Sequence, residues 1–214
     1  MKRSFDSIAH SYATLERLTF GGKLQSARTF GLSRIDRPIE RALLIGDGNG
    51  SFAIELLRRQ PSCRIDSLDI SPKMHKVSRQ RIDEAIGASG YALKAISADA
   101  RNHAFDKNYY DFVGLHFILD CLSDEDCMNL VRDSANALNK GGYLSFADFN
   151  IPSRQPSKFI SVYLIRCLYF GFNLATGLKT NRLPKFDWPV ELSKIGEHQQ
   201  LGGILKSLLM LKSQ

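Results

Sequence analysis

The chain has 214 residues, of which 43% are hydrophobic and 24% charged, and a formal net charge of +7. That is the make-up of an ordinary globular protein long enough to bury its own core. It excludes a disordered tail, a collagen-like fibre and a disulfide miniprotein.

The four cysteines, Cys63, Cys121, Cys127 and Cys167, form no C-x-x-C pair, so reduced core thiols are expected and structural zinc is not. His10, His75, His103 and His198 do not cluster either, and no metal site is expected. Basic residues are dispersed. Lys73 to Arg81 alternates with apolar residues as a solvated helix face does, a simpler reading than a dedicated polyanion site. No apolar run follows Met1-Lys2-Arg3-Ser4-Phe5-Asp6, so a signal peptide is not expected and the cytoplasm is. The apolar stretch Phe159 to Ala175 is interrupted by Arg166 and falls short of the ~20 clean residues of a spanning helix, so no stable membrane insertion is expected.

In chain order, residues 1–40 read as two short helices. The first runs through Phe5, Ile8, Ala9 and Tyr12, and the second from about Gly22 to Leu32 with Leu24, Ala27 and Phe30 buried. Arg34 to Pro38 breaks the pattern. Ala42 to Ile45 is a short strand ending in Gly46-Asp47-Gly48-Asn49-Gly50, and Phe52 to Arg59 is a helix. Arg64 to Ile70 is a second strand. Ser71-Pro72 then starts a basic helix to about Ile86, serine as N-cap and proline in the first turn. Leu93 to Ala98 and Tyr110 to Phe117 are the third and fourth strands. Ser123-x-x-Asp126 resembles a capping box ahead of the stripe Cys127, Leu130, Val131, Ser134 and Leu138, which Gly141-Gly142 ends. Tyr143 to Phe149 is a fifth strand.

After Pro152, Lys158 to Thr176 reads as a helix apolar almost all round, and Trp188 to Ile195 as a short helix. Glu197 to Leu201 and Ile204 to Leu211, joined by Gly202-Gly203, read as a terminal strand pair. Strands alternating with helices predict an α/β, Rossmann-like, doubly wound sheet, mostly parallel, with a C-terminal antiparallel pair. One domain is expected over 1–214, divided into lid helices (1–40), a cofactor-binding core (41–150), and a helical cap with the terminal strands (151–214).

Ligands of such sheets bind beyond the carboxyl ends of the strands. Gly46 to Gly50, Asp69, Asp99, His116 and Asp148 fall there. Glycines at 46, 48 and 50 permit a sharp turn and close approach of a ligand to the backbone. The loop opens onto a helix start that favours negative charge. Asp69, nineteen residues beyond Gly50, suits the two hydroxyls of a ribose.

These residues resemble class I S-adenosylmethionine-dependent methyltransferases. The resemblance rests on Phe5-Asp6-x-Ile8-Ala9-x-x-Tyr12, Leu43 to Gly50, Leu68 to Met74, Ala98-Asp99-Ala100-Arg101, Tyr110 to Val113, and the two Gly-Gly pairs. The opening is similar to the lid of small-molecule enzymes, including those of ubiquinone and menaquinone biosynthesis. The resemblance implies S-adenosylmethionine as cofactor. It implies that Gly46, Asp47, Gly48, Asn49 and Gly50 pass under the methionine part, and that Asp69 binds the ribose. Ile70 would pack on the adenine, Asp99 would accept from its amino group beside Ala100, His116 would lie near the sulfonium, and Tyr12 would close over the cofactor. One departure stands out. The family usually has an acid two residues before the first glycine, where this chain has Leu44, so Asp47 is a candidate replacement.

Methyl transfer from a sulfonium is an in-line displacement that depends mainly on positioning. A base is needed only where the acceptor carries a proton that must leave early, and His116 and Asp120 are the candidates. His116 could be a satisfied core histidine, Asp69 could merely cap the Ser71 turn although ribose binding is favoured, and Asp148 reads better as a strand-end loop residue than as a catalytic acid. His116-Phe117-Ile118-Leu119 differs from the Asn/Asp-Pro-Pro-aromatic motif of methyltransferases acting on nucleic-acid bases, so no nucleic-acid acceptor is expected. The apolar helix from Lys158 and the Phe5–Tyr12 helix would roof a pocket for a small apolar or aromatic acceptor. Packing on the sheet or a homodimer interface is the alternative for the former. A non-catalytic cofactor-binding or scaffold protein stays open. So does a nicotinamide-dependent oxidoreductase, although Ser51 stands where the third glycine of its fingerprint should fall.

Overall fold

Five runs form the parallel part of one sheet: β1 (Arg41–Ile45), β2 (Arg64–Asp69), β3 (Ala92–Ser97), β4 (Tyr110–His116) and β5 (Leu138–Phe149). Two more, β6 (Leu192–Gln200) and β7 (Leu205–Lys212), complete it in the order β3-β2-β1-β4-β5-β7-β6. β7 runs antiparallel to both of its neighbours, β5 and β6. The computed structural model describes residues 22–88, 91–152 and 183–213. The Phe5–Tyr12 helix, Tyr12 itself and the Lys158–Thr176 helix therefore lie outside the described residues.

Among the described residues, four α-helices accompany the strands: α1 (Lys23–Thr29), α2 (Ser51–Arg59), α3 (Pro72–Ile86) and α4 (Asp124–Ala137). Their starts follow the expected chemistry. Ser71 Oγ accepts the Met74 N–H at 3.2 Å, with Pro72 in the first turn. Ser123 Oγ accepts the Asp126 N–H at 3.1 Å.

The central strands are buried on both faces and so read as continuous apolar runs. On one face Leu43, Ile45, Val113, Leu115, Leu144 and Phe146 pack with α4 through Cys127, Leu130 and Val131. On the other, Ala42, Leu44, Ile65 and Phe112 pack with Phe52, Leu56 and Leu57 of α2 and Ile82 of α3. The sheet turns back between β1 and β4, its topological switch point, and the loops after these two strands meet there.

Three expectations need correction. Trp188 to Ile195 is not a helix. A turn from Pro189 leads straight into β6, which is longer than the Glu197–Leu201 strand expected. β6 is an edge strand whose residues after Leu192 are largely exposed, so it is held by backbone pairing to β7 and lacks an apolar alternation. Phe30 is not core: it is half-buried, its ring stacked on that of His198 at 5.3 Å. Gly141-Gly142 does not end α4. The helix stops at Ala137, and the glycines lie inside β5.

Among the described residues, no helix is long and apolar enough to cross a membrane.

Candidate active site

Gly46, Gly48 and Gly50 all adopt left-handed conformations, with φ of 70°, 58° and 75°. Side chains resist this region, so the alternation of glycine gives the loop its shape. A Cβ on Gly48 would meet nothing within 4 Å, which leaves that side of the loop open to a ligand. Gly50 is different: a Cβ there would lie 2.4 Å from Ser78 Oγ of α3. Gly50→Ala should combine positive-φ strain with this clash and lower stability by about 2 kcal/mol or more, read as a lower urea midpoint.

Asp47 turns its carboxylate into the first turn of α2. Oδ1 accepts the Phe52 N–H and Oδ2 the Ala53 N–H, both at 3.0 Å. These are amides that a helix start leaves without partners. Burial pushes the carboxyl up to about 6 against those two hydrogen bonds and the charge of Arg28. Leu44 meanwhile is 1% exposed, in the layer beneath α2, so its side chain is part of the core. Asp47 thus has a structural task of its own, independent of any replacement for an acid at position 44.

At the end of β2, Asp69 Oδ1 accepts the Ser71 N–H at 2.8 Å, so the expected capping contact is made. Ile70 beside it is 60% exposed, an apolar side chain available at the strand ends. At the end of β3, Arg101 holds Asp99. Its Nε lies 2.9 Å from Oδ1 and 3.1 Å from Oδ2, and its Nη2 lies 2.5 Å from Oδ2. Those bonds hold the Asp99 carboxyl below its usual range. Ala100 follows, packed against the α4-side core.

The end of β4 separates the two catalytic candidates. Phe117 has φ 55°, unusual for a bulky residue and characteristic of strained functional loops. His116 faces inward: 4% exposed, it sits 4.4 Å ring-to-ring from Phe52, with Nε2 3.0 Å from Ser145 Oγ. Burial, helped by Arg28, lowers its imidazole to about 3. His116 is therefore buried and of low basicity, an environment that favours the core-histidine reading. Ile118 on the other side closes on Gly46, joining the two loops of the switch point.

Asp120 is 5% exposed, and its backbone N–H donates to Asp148 Oδ2 at 3.2 Å. Asp148, 2% exposed, also accepts from the Phe149 N–H at 2.8 Å. Burial first, then the charge of Asp120, raises the Asp148 carboxyl well above its ordinary value. Two carboxyl groups thus share the ends of β4 and β5, beside the half-buried ring pair Phe117–Phe149 at 5.5 Å.

Sequence reasoning missed Arg28 and Arg81. Arg28, 6% exposed on α1, lies 4.9 Å over the Phe117 ring. Its signal was a charge on the Leu24–Ala27 face. Arg81 of α3 donates to the Asn49 carbonyl at 2.8 Å, and nothing in its spacing marked it.

Residues 42–142 match the family model described as a methyltransferase domain. The match spans just under half of the chain and identifies that stretch as a methyltransferase domain. The chain is similar to the ubiquinone/menaquinone biosynthesis C-methyltransferase UbiE of Vibrio cholerae, 28% identical over 168 residues, 77% of this chain and 63% of that one. The fold is that of a putative O-methyltransferase from Nostoc punctiforme (TM-score 0.66, 18% identity, covering 97% of this chain and 60% of that one). It is also that of the N-methyltransferase NodS of Bradyrhizobium japonicum, solved with S-adenosylhomocysteine (TM-score 0.57, 15% identity, covering 90% and 85%). The chain spans between 37% and 63% of the length of the first curated relatives it matches.

The methyltransferase loop fits its methyl donor. Its backbone is bare at Gly48, and the Asn49 side chain, on a residue 2% exposed, holds a buried Nδ2 donor with no partner among the described residues. Such a donor costs roughly 1–3 kcal/mol until an acceptor reaches it.

Proposed function

We propose that the protein transfers the methyl group of S-adenosylmethionine to a small, largely apolar or aromatic acceptor. The observation that carries this reading is the bare glycine loop at the switch point, adjoining the aromatic pair Phe117–Phe149. The names of relatives support it, since UbiE is a quinone-pathway C-methyltransferase by its description. Gly46 to Gly50 would cradle the methionine end, Asp69 would hold the ribose through its carboxylate, and Ile70 would lie against the adenine. Asp99 with Ala100 would border the adenine edge. Asp99 would have to share its carboxylate with Arg101 to do so.

The cofactor supplies a methyl group already activated by the positive sulfur. The chain's own work is then to bring an acceptor atom into line and exclude water. Asp120 is the base we assign for an acceptor that loses a proton. Asp148, with its raised carboxyl, would favour holding a proton beside it. His116 is left out, because an imidazole lowered to about 3 accepts protons poorly near neutral pH.

Titration separates this reading from a nicotinamide enzyme. S-adenosylhomocysteine should bind and raise the melting temperature, whereas NAD and NADP should do neither. Asp69→Ala should weaken S-adenosylhomocysteine by about tenfold to a hundredfold, the range for hydrogen bonds to a charged group. A shift with NADH and none with S-adenosylhomocysteine would sink the proposal. Binding without methyl transfer to any quinol, phenol or apolar amine would favour a cofactor-binding scaffold.

A further inference from the structure

We propose that Arg81, acting through Ser51, is a positioning residue that sets the glycine loop for the amino-acid end of the cofactor. The proposal rests on the cofactor reading above and adds a group from outside the loop.

Arg81 lies on α3, thirty-two positions beyond Asn49, and its guanidinium reaches back beneath the loop. One nitrogen, Nη1, donates to the Asn49 carbonyl at 2.8 Å and to Ser51 Oγ at 3.1 Å. The Ser51 hydroxyl in turn donates to Asn49 Oδ1 at 2.6 Å, and the Ser51 N–H donates to the same oxygen at 3.2 Å. Arginine, serine and asparagine therefore form a directed chain of donors. Such chains strengthen each member by polarisation. Because Oδ1 takes both Ser51 donors, the Asn49 amide has one orientation, and its Nδ2 is the donor left over.

The Asp47 carboxylate already takes the Phe52 and Ala53 amides at the start of α2, and Arg81 adds a cation to the same end of the helix. Among the described residues Arg81 forms no salt bridge, and it stands beside the N-terminus of α2, the positive end of that helix. A cation there raises the positive potential at the loop, which suits a carboxylate and not an ammonium group. Arg81 thus gives the far side of the loop a positive charge that suits the carboxylate of the methionine part. The tight seat of Gly50 on Ser78 keeps α3, and with it Arg81, fixed against the loop.

The test compares two probes on the whole protein. S-adenosylhomocysteine has the amino-acid end, whereas 5′-methylthioadenosine keeps adenosine and sulfur without it. Arg81→Met and Ser51→Ala should each weaken S-adenosylhomocysteine by about tenfold, one lost charge-assisted hydrogen bond, and leave 5′-methylthioadenosine unchanged. The double variant should lose little more than either single one, because both act in one chain. Arg81→Lys should recover part of the loss. A merely structural role would weaken both probes alike, and that result, or no change in either, overturns the proposal. Should Arg81→Met fail to fold, Ser51→Ala alone decides by the same comparison. A wild-type protein that binds neither probe overturns the cofactor reading and this proposal with it, whereas binding by the wild type with unaltered variants overturns this proposal alone.

Discussion

Leu44→Asp is expected to destabilise the fold by about 5 kcal/mol, enough to unfold much of the protein at room temperature. The family pattern would make this substitution a repair, since it returns an acid to its usual place. The packing argues the reverse. Leu44 is 1% exposed in the same apolar layer as Phe52 of α2 and Phe112 of β4, and a Cβ on Gly114 would lie 3.0 Å from Leu44 Cδ2. The variant loses the burial of a leucine and gains a carboxyl group among apolar atoms. The volume-conserving Leu44→Met should cost less than about 1.5 kcal/mol and serves as the control. Urea unfolding of the three proteins gives the answer. A folded Leu44→Asp variant that binds S-adenosylhomocysteine more tightly would mean that position 44 looks onto the cofactor.

The second large effect depends on pH. The His116 imidazole is lowered to about 3, from 6.5, by burial and Arg28. Above pH 6.5 neither the folded nor the unfolded form carries its proton, so its contribution is constant. Below 6.5 the unfolded chain takes up a proton that the folded chain refuses, and stability falls by about 1.4 kcal/mol per pH unit until the folded pKa is reached. By pH 4 the loss from this residue is about 3 kcal/mol.

Asp47 opposes it. A carboxyl raised to about 6 in the folded protein releases its proton later than in the unfolded chain. Its contribution to stability is greatest below about 4 and is lost as pH rises through 6. The wild-type profile between pH 4 and 6 is therefore flattened by two opposing groups. His116→Leu exposes the cancellation: relative to wild type, it should become more stable by about 3 kcal/mol on going from pH 7 to pH 4. Urea midpoints at the two pH values measure this difference. An unchanged difference would place the imidazole in contact with solvent.

Much of the cofactor end of the molecule was legible because local chemistry dictates it. A run such as Leu43-Leu44-Ile45 followed by alternating glycines can hardly be anything but a buried strand entering a tight loop, and Ser71-Pro72 announces a helix start whatever lies around it. What stayed hidden depends on partners distant in sequence. Arg28 is a charge on a short helix, and only the Phe117 ring beneath it explains its burial. Asp47 stood out by its place between the glycines, but a sequence does not say whether a carboxylate turns inward to the amides of residues 52 and 53 or outward to a ligand. His116 stood at the right strand end. The alternation of side chains along β4, with the turn at Phe117, pointed it to the layer beneath α2. β6 was misread because an edge strand held by its backbone carries almost no side-chain pattern.

The order of strands also has a consequence for synthesis. β7 lies between β5 and β6, yet it follows β6 in the chain. As the polypeptide emerges, β6 has no native strand to pair with until β7 has been made, and the outer side of β5 waits for the same segment. The glycine loop and its neighbouring strands can pair much earlier, since β1, β2 and β4 all lie within residues 41–116. The half of the sheet that carries the glycine loop can thus be assembled while the other half is still held open. The interval between the two leaves unpaired backbone edges exposed, the kind of edge through which incomplete chains associate.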